Sequence, residues 1–354
     1  MTSLNFRSLF ALMLLLLATA LPAWSAFTPP QNLDPASATI QLDTSFQSDA
    51  WLVYTYEIDA EGRVVNATIQ SSNGVLEVEQ AVLQQVGAMR FRPAQRNGNP
   101  VKVSADPVIY TWILDKRREL SPRFSDLYRQ AWAHYAEENY EIASEIAAQL
   151  KTFPGRNALE EVKFQILAAS LASRREDEAA ELRHLRRVVE FQRLALSNNF
   201  RNVYVPADQY LKVLNRILTL QLNRMMLADA GRTLETMQSL GPGSDIAREA
   251  ANSYRQTELS FQAIEDVTVT GELVPLYREG PGAWKTGLSR ERFSLSDVRG
   301  HVSSVFLVCA NAEKQLRYPA RDPWTIPPGW TQCMIDVSGK AGTRMVLHQY
   351  ASGR

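Results

Sequence analysis

The chain has little of the material from which active sites are usually built. Its 354 residues hold four histidines and two cysteines. None of His134, His184, His301 and His348 lies in an HExxH helix, a Cys/His ligand spacing or an i, i+4 pair, so no metal site is expected. There is no G-x-S-x-G elbow and no S-x-x-K, the usual settings of a serine nucleophile. Gly241-Pro242-Gly243 and Gly280-Pro281-Gly282 place Pro where a phosphate cradle needs backbone N–H groups. The carboxylate pairs Glu137-Glu138 and Glu160-Glu161 read as solvated helix faces. No catalytic residue, no cofactor and no enzymatic activity are therefore expected. The chain also lacks a charge of one sign: 38 basic residues face 38 acidic ones. That argues against a dominant nucleic-acid or anionic-membrane surface. The basic runs Lys116-Arg117-Arg118 and Arg183 to Arg187 read as solvated helix faces too.

Long apolar runs are missing except at the start. Leu9 to Ala20 is apolar apart from Thr19, and Arg7 is the one charged side chain before Asp34. Pro22 and the small residues around Ser25 and Ala26 follow. This reads as a signal peptide over residues 1–26, with an apolar core of about 12 residues against the ~20 of a membrane span. A periplasmic protein with no span after cleavage is expected; an uncleaved signal would instead anchor it to the inner membrane. In such a compartment Cys309 and Cys333, 24 positions apart, are expected to form one disulfide. Closing a loop of that length stabilises by roughly 3–4 kcal/mol in the chain-entropy model.

What is present falls into successive segments. Residues 27–48 are a polar lead-in with Pro29, Pro30 and Pro35, and an edge strand is expected at Ala38 to Leu42. Residues 49–115 read as a small α/β module. Trp51 to Ile58 is aromatic and β-branched, with Leu52, Tyr54, Tyr56 and Ile58 on one face. Asp59-Ala60-Glu61-Gly62 supplies a turn, and Val64 to Gln70 the return strand. Val78, Ala81, Val82 and Val86 mark an amphipathic helix that Ser72 or Asn73 is placed to cap, with Gly87 at its end. Phe91 is the expected core anchor of the corner that Pro93 then turns. Val108, Tyr110, Trp112 and Leu114 alternate in a last strand.

In order and spacing the stretch Trp51 to Leu114 resembles the C-terminal domain of the TonB energy-transducer family. The resemblance rests on the Asp59–Gly62 turn, the corner Met89-Arg90-Phe91-Arg92-Pro93-Ala94 and the turn Asn97-Gly98-Asn99-Pro100. It implies a binding surface with no chemistry of its own. In that family the last strand takes up an extended peptide from outer-membrane receptors. Here that strand is Val108, Ile109, Tyr110, Thr111, Trp112, Ile113 and Leu114, the candidate peptide-binding edge. The partners implied are envelope proteins, outer-membrane receptors or their peptides among them. A full transducer also has an uncleaved anchor and a long Pro-rich spacer, and about 240 residues follow the module here, so force transduction is not implied.

Residues 121–264 change to a helical period. Leu127, Tyr128, Ala131, Tyr135, Tyr140 and Ala143 are spaced like a tetratricopeptide-type helical hairpin. Two further hairpins are expected over Ala158 to Leu194, with Ala179 in the role of Ala143, and over Ala207 to Leu240, with Ala230 in that role; a capping helix follows at Ser244 to Ile264. Residues 265–354 are β-rich and expected to form an antiparallel sandwich that carries the disulfide. Trp324 and Trp330, in the Pro-rich loop between the cysteines, are a candidate ligand loop. The fold class is multi-domain α+β: a small sheet module, a helical-repeat region and a β-sandwich. Three functions compete: a periplasmic, non-enzymatic protein-interaction protein, a TonB-type energy transducer acting in transport across the outer membrane, and a cell-wall carbohydrate-binding protein or enzyme.

Overall fold

The computed structural model describes residues 27–34, 40, 49–96, 98–105, 108–112, 119–197, 204–275 and 281–351. The signal-peptide reading, all of the Ala38–Leu42 strand but Ile40, the run 116–118, and Ile113 and Leu114 of the candidate edge lie outside the described residues. The architecture is mixed α and β in three parts, as the sequence pattern implies.

The first part holds β1 (Phe27–Thr28), β2 (Gln31–Asn32), β3 (Ala50–Ile58), β4 (Val64–Ser72), α1 (Leu76–Ala88), β5 (Phe91–Arg92), β6 (Ala94–Arg96), β7 (Asn99–Val101), β8 (Val103–Ser104) and β9 (Val108–Trp112). The long strand β3 is central. It pairs antiparallel with β4 on one side, and with β8 and β9 on the other. Two small ribbons, β1-β6-β7 and β2-β5, sit beside this sheet. Alternation puts Leu52, Tyr54 and Ile58 on one face, where Val78, Val82 and Val86 of α1 cover them; Phe91 joins this core. The cap of α1 differs from expectation. Its N-cap is Val75, with no side-chain bond. Asn73 is instead engaged with the main chain of Trp51 and Asp49, and the Ser72 hydroxyl with the Gly74 N–H. The helix also runs one residue past Gly87.

The Asp59–Gly62 turn fixes the corner. The Asp59 carboxylate accepts from the N–H groups of Glu61 (3.0 Å) and Arg63 (2.8 Å). Gly62 has φ +79°, and its carbonyl accepts from the Phe91 N–H at 2.8 Å. A Cβ on Gly62 would lie 1.9 Å from the Phe91 carbonyl oxygen. Gly62→Ala is therefore expected to cost about 1–3 kcal/mol, through the positive φ and the main-chain clash together. Denaturant unfolding of the full chain measures it, and an unchanged midpoint would show that this crossing does not hold the corner.

The helical part comprises α2 (Pro122–Ala136), α3 (Tyr140–Lys151), α4 (Ala158–Arg174), α5 (Glu178–Ser197), α6 (Ala207–Asn223), α7 (Leu227–Leu240) and α8 (Asp245–Ala263). These are three antiparallel hairpins and a closing helix. Each hairpin turn has the same construction. Glu138, Glu176 and Met225 take positive φ (63°, 56° and 55°). The next residue's N–H then reaches back five positions: Asn139 to His134, Asp177 to Ala172, Met226 to Gln221. These are Schellman turns closed without glycine. Counted from them, the position of the buried Ala143 and Ala230 falls on Glu181 in the second hairpin, not on the half-buried Ala179. Glu181 is tolerated there because Arg216 grips both its carboxylate oxygens, at 2.6 and 2.7 Å.

The pair Glu160-Glu161 is also buried rather than solvated (1% and 2% exposed). Glu160 closes a capping box with Asn157 at the start of α4 and accepts the Ser121 N–H at 2.7 Å. Glu161 pairs with Arg156, whose Nε lies 2.7 Å away.

The last part holds β10 (Asp266–Glu272), β11 (Val274–Pro275), β12 (Gly282–Gly287), β13 (Arg292–Arg299), β14 (Val302–Cys309), β15 (Ala312–Leu316), β16 (Trp324–Thr325), β17 (Met334–Gly339) and β18 (Arg344–Tyr350). They form two antiparallel sheets, in orders β10-β18-β13-β16 and β11-β12-β17-β14-β15. Val269, Phe293 and Leu347 of one sheet meet Val305, Leu307, Ile335 and Val337 of the other. Cys309, the last residue of β14, and Cys333, just before β17, form the disulfide. Leu182, Leu185, Ile217 and Leu220 continue this core into the helices.

Candidate functional site

Among the described residues both faces of the module sheet carry contacts. One is covered by α1. The other rests on the helices, and Trp51 is the pin. Its ring is 2% exposed, meets Phe191 of α5 edge-on at 5.6 Å, and lies under the guanidinium groups of Arg156 and Arg187. Its indole N–H donates to the Arg156 carbonyl at 2.6 Å. Arg187 also donates to the Ser71 hydroxyl of β4 at 2.8 Å. The basic run Arg183 to Arg187 is thus not a solvated face throughout; its last member holds the module. On the far side of the module Arg96 of β6 pairs with Glu313 of β15 at 2.9 Å.

With both faces used, the edges remain. The β4 edge is irregular. Its register with β3 shifts twice, and Asn66 takes φ +52°. Such bulges twist an edge away from flat pairing. β9 is different. Its five residues run in unbroken register with β3, Ala50 opposite Trp112 through Tyr54 opposite Val108. It holds no Pro, no Gly and no charge. Among the described residues neither a proline, a charge nor a bulge blunts it against strand addition.

The direction of its main-chain groups follows from β3. The Trp51 carbonyl accepts from the Asn73 N–H at 3.1 Å, and the Trp51 N–H donates to the Asn73 side chain, so both point toward β4. Alternation turns Leu52 and Tyr54 toward β9, where Tyr110 and Val108 oppose them. The Tyr56 carbonyl, on the same side, accepts from Ala105 at 2.8 Å. The N–H and C=O of Ile109 and Thr111 are therefore left on the outer side of β9. Among the described residues no strand pairs with that side.

The side chains alternate accordingly. Ile109 packs toward the helices with Trp51, and Tyr110 and Trp112 toward the α1 core. Burial pushes the Tyr110 phenol up to about 12, so it stays protonated and donates to the Ile40 carbonyl at 3.5 Å. Val108 is 37% exposed at the open end.

Residues 51–114 match the family model for the Gram-negative bacterial TonB protein C-terminal. This stretch is a TonB C-terminal module. No curated protein matches the chain. TonB C-terminal modules are non-enzymatic interaction domains of the cell envelope, so the match speaks for a TonB-like protein-interaction role of residues 51–114. The matched stretch begins at the docking residue Trp51 and includes the whole of β9. The match accounts for the module alone; the helical hairpins and the sandwich lie beyond it. Among the described residues no helix is long and apolar enough to cross a membrane, and no group of three or more His, Cys, Asp and Glu is arranged to hold a metal.

The second sequence candidate, the loop between the cysteines, packs onto its own sandwich. Trp324 pairs in β16 with Phe293 of β13, its ring 5.5 Å from that of Phe293 and 6.5 Å from that of Tyr318. Trp330 is half-buried against the same core. Sequence reasoning passed over the role of Arg156 and Arg187 at Trp51. The signal is faint: two residues 105 and 136 positions from Trp51 cannot be matched to it by local pattern.

Proposed function

We propose that this protein is a periplasmic interaction scaffold whose TonB C-terminal module accepts an extended segment of an envelope protein along β9. The observation that carries this reading is the outer side of β9, which no strand among the described residues pairs with and toward which the main-chain groups of Ile109 and Thr111 are directed. Strand addition draws its affinity from main-chain hydrogen bonds and its selectivity from alternate side chains. Partners of the kind that suit it are outer-membrane receptors or their peptides, as the resemblance of the module implies. The hairpins hold the module by its Trp51 face, the sandwich holds it through Arg96, and β9 is left for the partner.

Single proline substitutions test the reading. Thr111→Pro removes an outward N–H, which an edge strand tolerates; Tyr110→Pro removes an N–H of the β3 ladder. Thr111→Pro is expected to fold with a near-normal melting temperature and to lose capture of partner from envelope extract. Ile109→Pro is expected to do the same with some loss of packing against the helices. Tyr110→Pro is expected to melt early. If Thr111→Pro and Ile109→Pro both fold and both capture partner as the parent does, β9 is not the acceptor.

A further inference from the structure

We propose that the cleft between the helical hairpins and the β-sandwich binds a small organic phosphate. The cleft encloses about 670 Å³, within the range of ligand pockets, ~300–1,000 Å³. Six basic side chains line it: Arg183 and Arg186 of α5, Arg224 after α6, Lys285 of β12, Arg299 of β13 and Arg344 of β18. Against them stand two acidic ones in the lining, Glu272 and Asp297. For a chain with no net charge, this is a marked local excess of one sign.

Half of these cations have no ion pair or hydrogen bond that ties them into the fold among the described residues. Lys285 pairs with Asp336 at 3.1 Å and Arg344 with Glu272 at 3.6 Å. Arg183, Arg186 and Arg299 have no ion-pair partner among the described residues. Arg224 is half-buried, donates through Nη2 to the Thr270 carbonyl at 3.0 Å, and leaves its Nε without a hydrogen bond. Burial lowers its pKa first; Glu178 and Asp177 offset this, and Arg186 and Arg183 add to it. A buried, unmet guanidinium N–H beside two further guanidinium groups is costly for the empty protein, and an anion in the cleft would relieve it.

Phosphate fits this array better than a single carboxylate. Guanidinium forks meet phosphate oxygens in bidentate pairs, and a dianion offsets more of the excess charge. The floor selects an organic ligand. Trp284 lies flat enough on Gly271 that a Cβ there would fall 2.5 Å from the indole, and Leu182, Met226 and Met345 continue the apolar wall. The charged rim holds the phosphate while the indole and its neighbours cover an apolar or ring-bearing body. The Arg183 to Arg187 run thus divides its work, with Arg187 on Trp51 and Arg183 and Arg186 at the cleft.

The test is calorimetric titration of the full chain with phenyl phosphate, inorganic phosphate and glycerol phosphate at physiological ionic strength, together with co-sedimentation on phosphatidylglycerol vesicles. Saturable binding of one phenyl phosphate per chain is expected, tighter than that of inorganic phosphate. Arg224→Gln is expected to weaken it by about tenfold or more. The double substitution Arg183→Gln and Arg186→Gln should weaken it similarly without moving the melting temperature. Trp284→Leu should narrow the difference between phenyl and inorganic phosphate. Arg248→Gln, on α8 away from the cleft, should change nothing. Soluble glycerol phosphate competing with phenyl phosphate assigns a free phosphoester; competition only by vesicles that still depends on Arg224 assigns a lipid headgroup. Unsaturable binding, equal binding by the Arg224 and the Arg183/Arg186 variants, or vesicle binding indifferent to these arginines would overturn the proposal.

Discussion

Trp51→Ala is expected to destabilise the protein by about 3–5 kcal/mol, the range for truncating a large buried aromatic side chain. Three losses coincide at this one position. The cavity opens between the module sheet and α5, where the ring met Phe191 at 5.6 Å. The Arg156 carbonyl loses the indole N–H that reached it at 2.6 Å. Arg156 and Arg187 lose the ring face beneath their guanidinium groups. Trp51→Phe keeps much of the volume and loses the hydrogen bond, so a smaller cost of about 1–2 kcal/mol is expected. Denaturant unfolding followed by circular dichroism measures both. A Trp51→Ala cost below roughly 1 kcal/mol would show that the module is not held by this residue.

Glu161→Ala is expected to cost a similar amount, about 3–5 kcal/mol, for a different reason. Glu161 is 2% exposed, and its partner Arg156 is 8% exposed. The carboxylate takes Arg156 Nε at 2.7 Å and Gln165 Nε2 at 2.8 Å. Removing it leaves a buried guanidinium whose remaining bonds go to the carbonyls of Leu150 and Lys151. Breaking one half of a buried ion pair is costly because the other half stays charged and out of water. Since Arg156 also stands over Trp51, the two losses share a network. Trp51→Ala and Glu161→Ala together should depart from additivity by roughly 0.5–3 kcal/mol. Additive costs would mean that ion pair and indole act separately.

Much of this architecture is legible in the chain because local pattern and tertiary role agree. Val78, Val82 and Val86 recur at helical spacing and are the residues that α1 buries. The helical hairpins are legible from their apolar periods, beginning with Leu127, Tyr128, Ala131, Tyr135, Tyr140 and Ala143. The candidate edge is legible from alternation in Val108 to Trp112, but its direction is not. Which N–H groups face outward depends on Asn73 holding the main chain of Trp51, a contact across 22 positions. The acidic pair Glu160-Glu161 misleads for the opposite reason. Two adjacent carboxylates at a helix start look the same whether water or Arg156 meets them. Ala179 misleads because the hairpins differ in length, so a fixed spacing drifts off the structural position and lands two residues short of Glu181. The ribbons β1-β6-β7 and β2-β5 are strands of two or three residues, too short to leave a period, and β1 and β2 find their partners far along the chain, Phe27 opposite Arg96 and Gln31 opposite Arg92.

The unbroken register of β9 against β3 also decides how a load would travel. A strand pulled along the outer side of β9 would draw on the ladder lengthwise. The paired residues from Ala50 to Tyr54 would resist together, where a pull across the sheet would open them one after another. The tension would then reach β3, and through the indole wedged under two guanidinium groups it would pass into the helical hairpins. A grip of this geometry slips reluctantly along its own axis and peels readily from its end, so the same bound segment could be firmly held in one pulling direction and easily released in another.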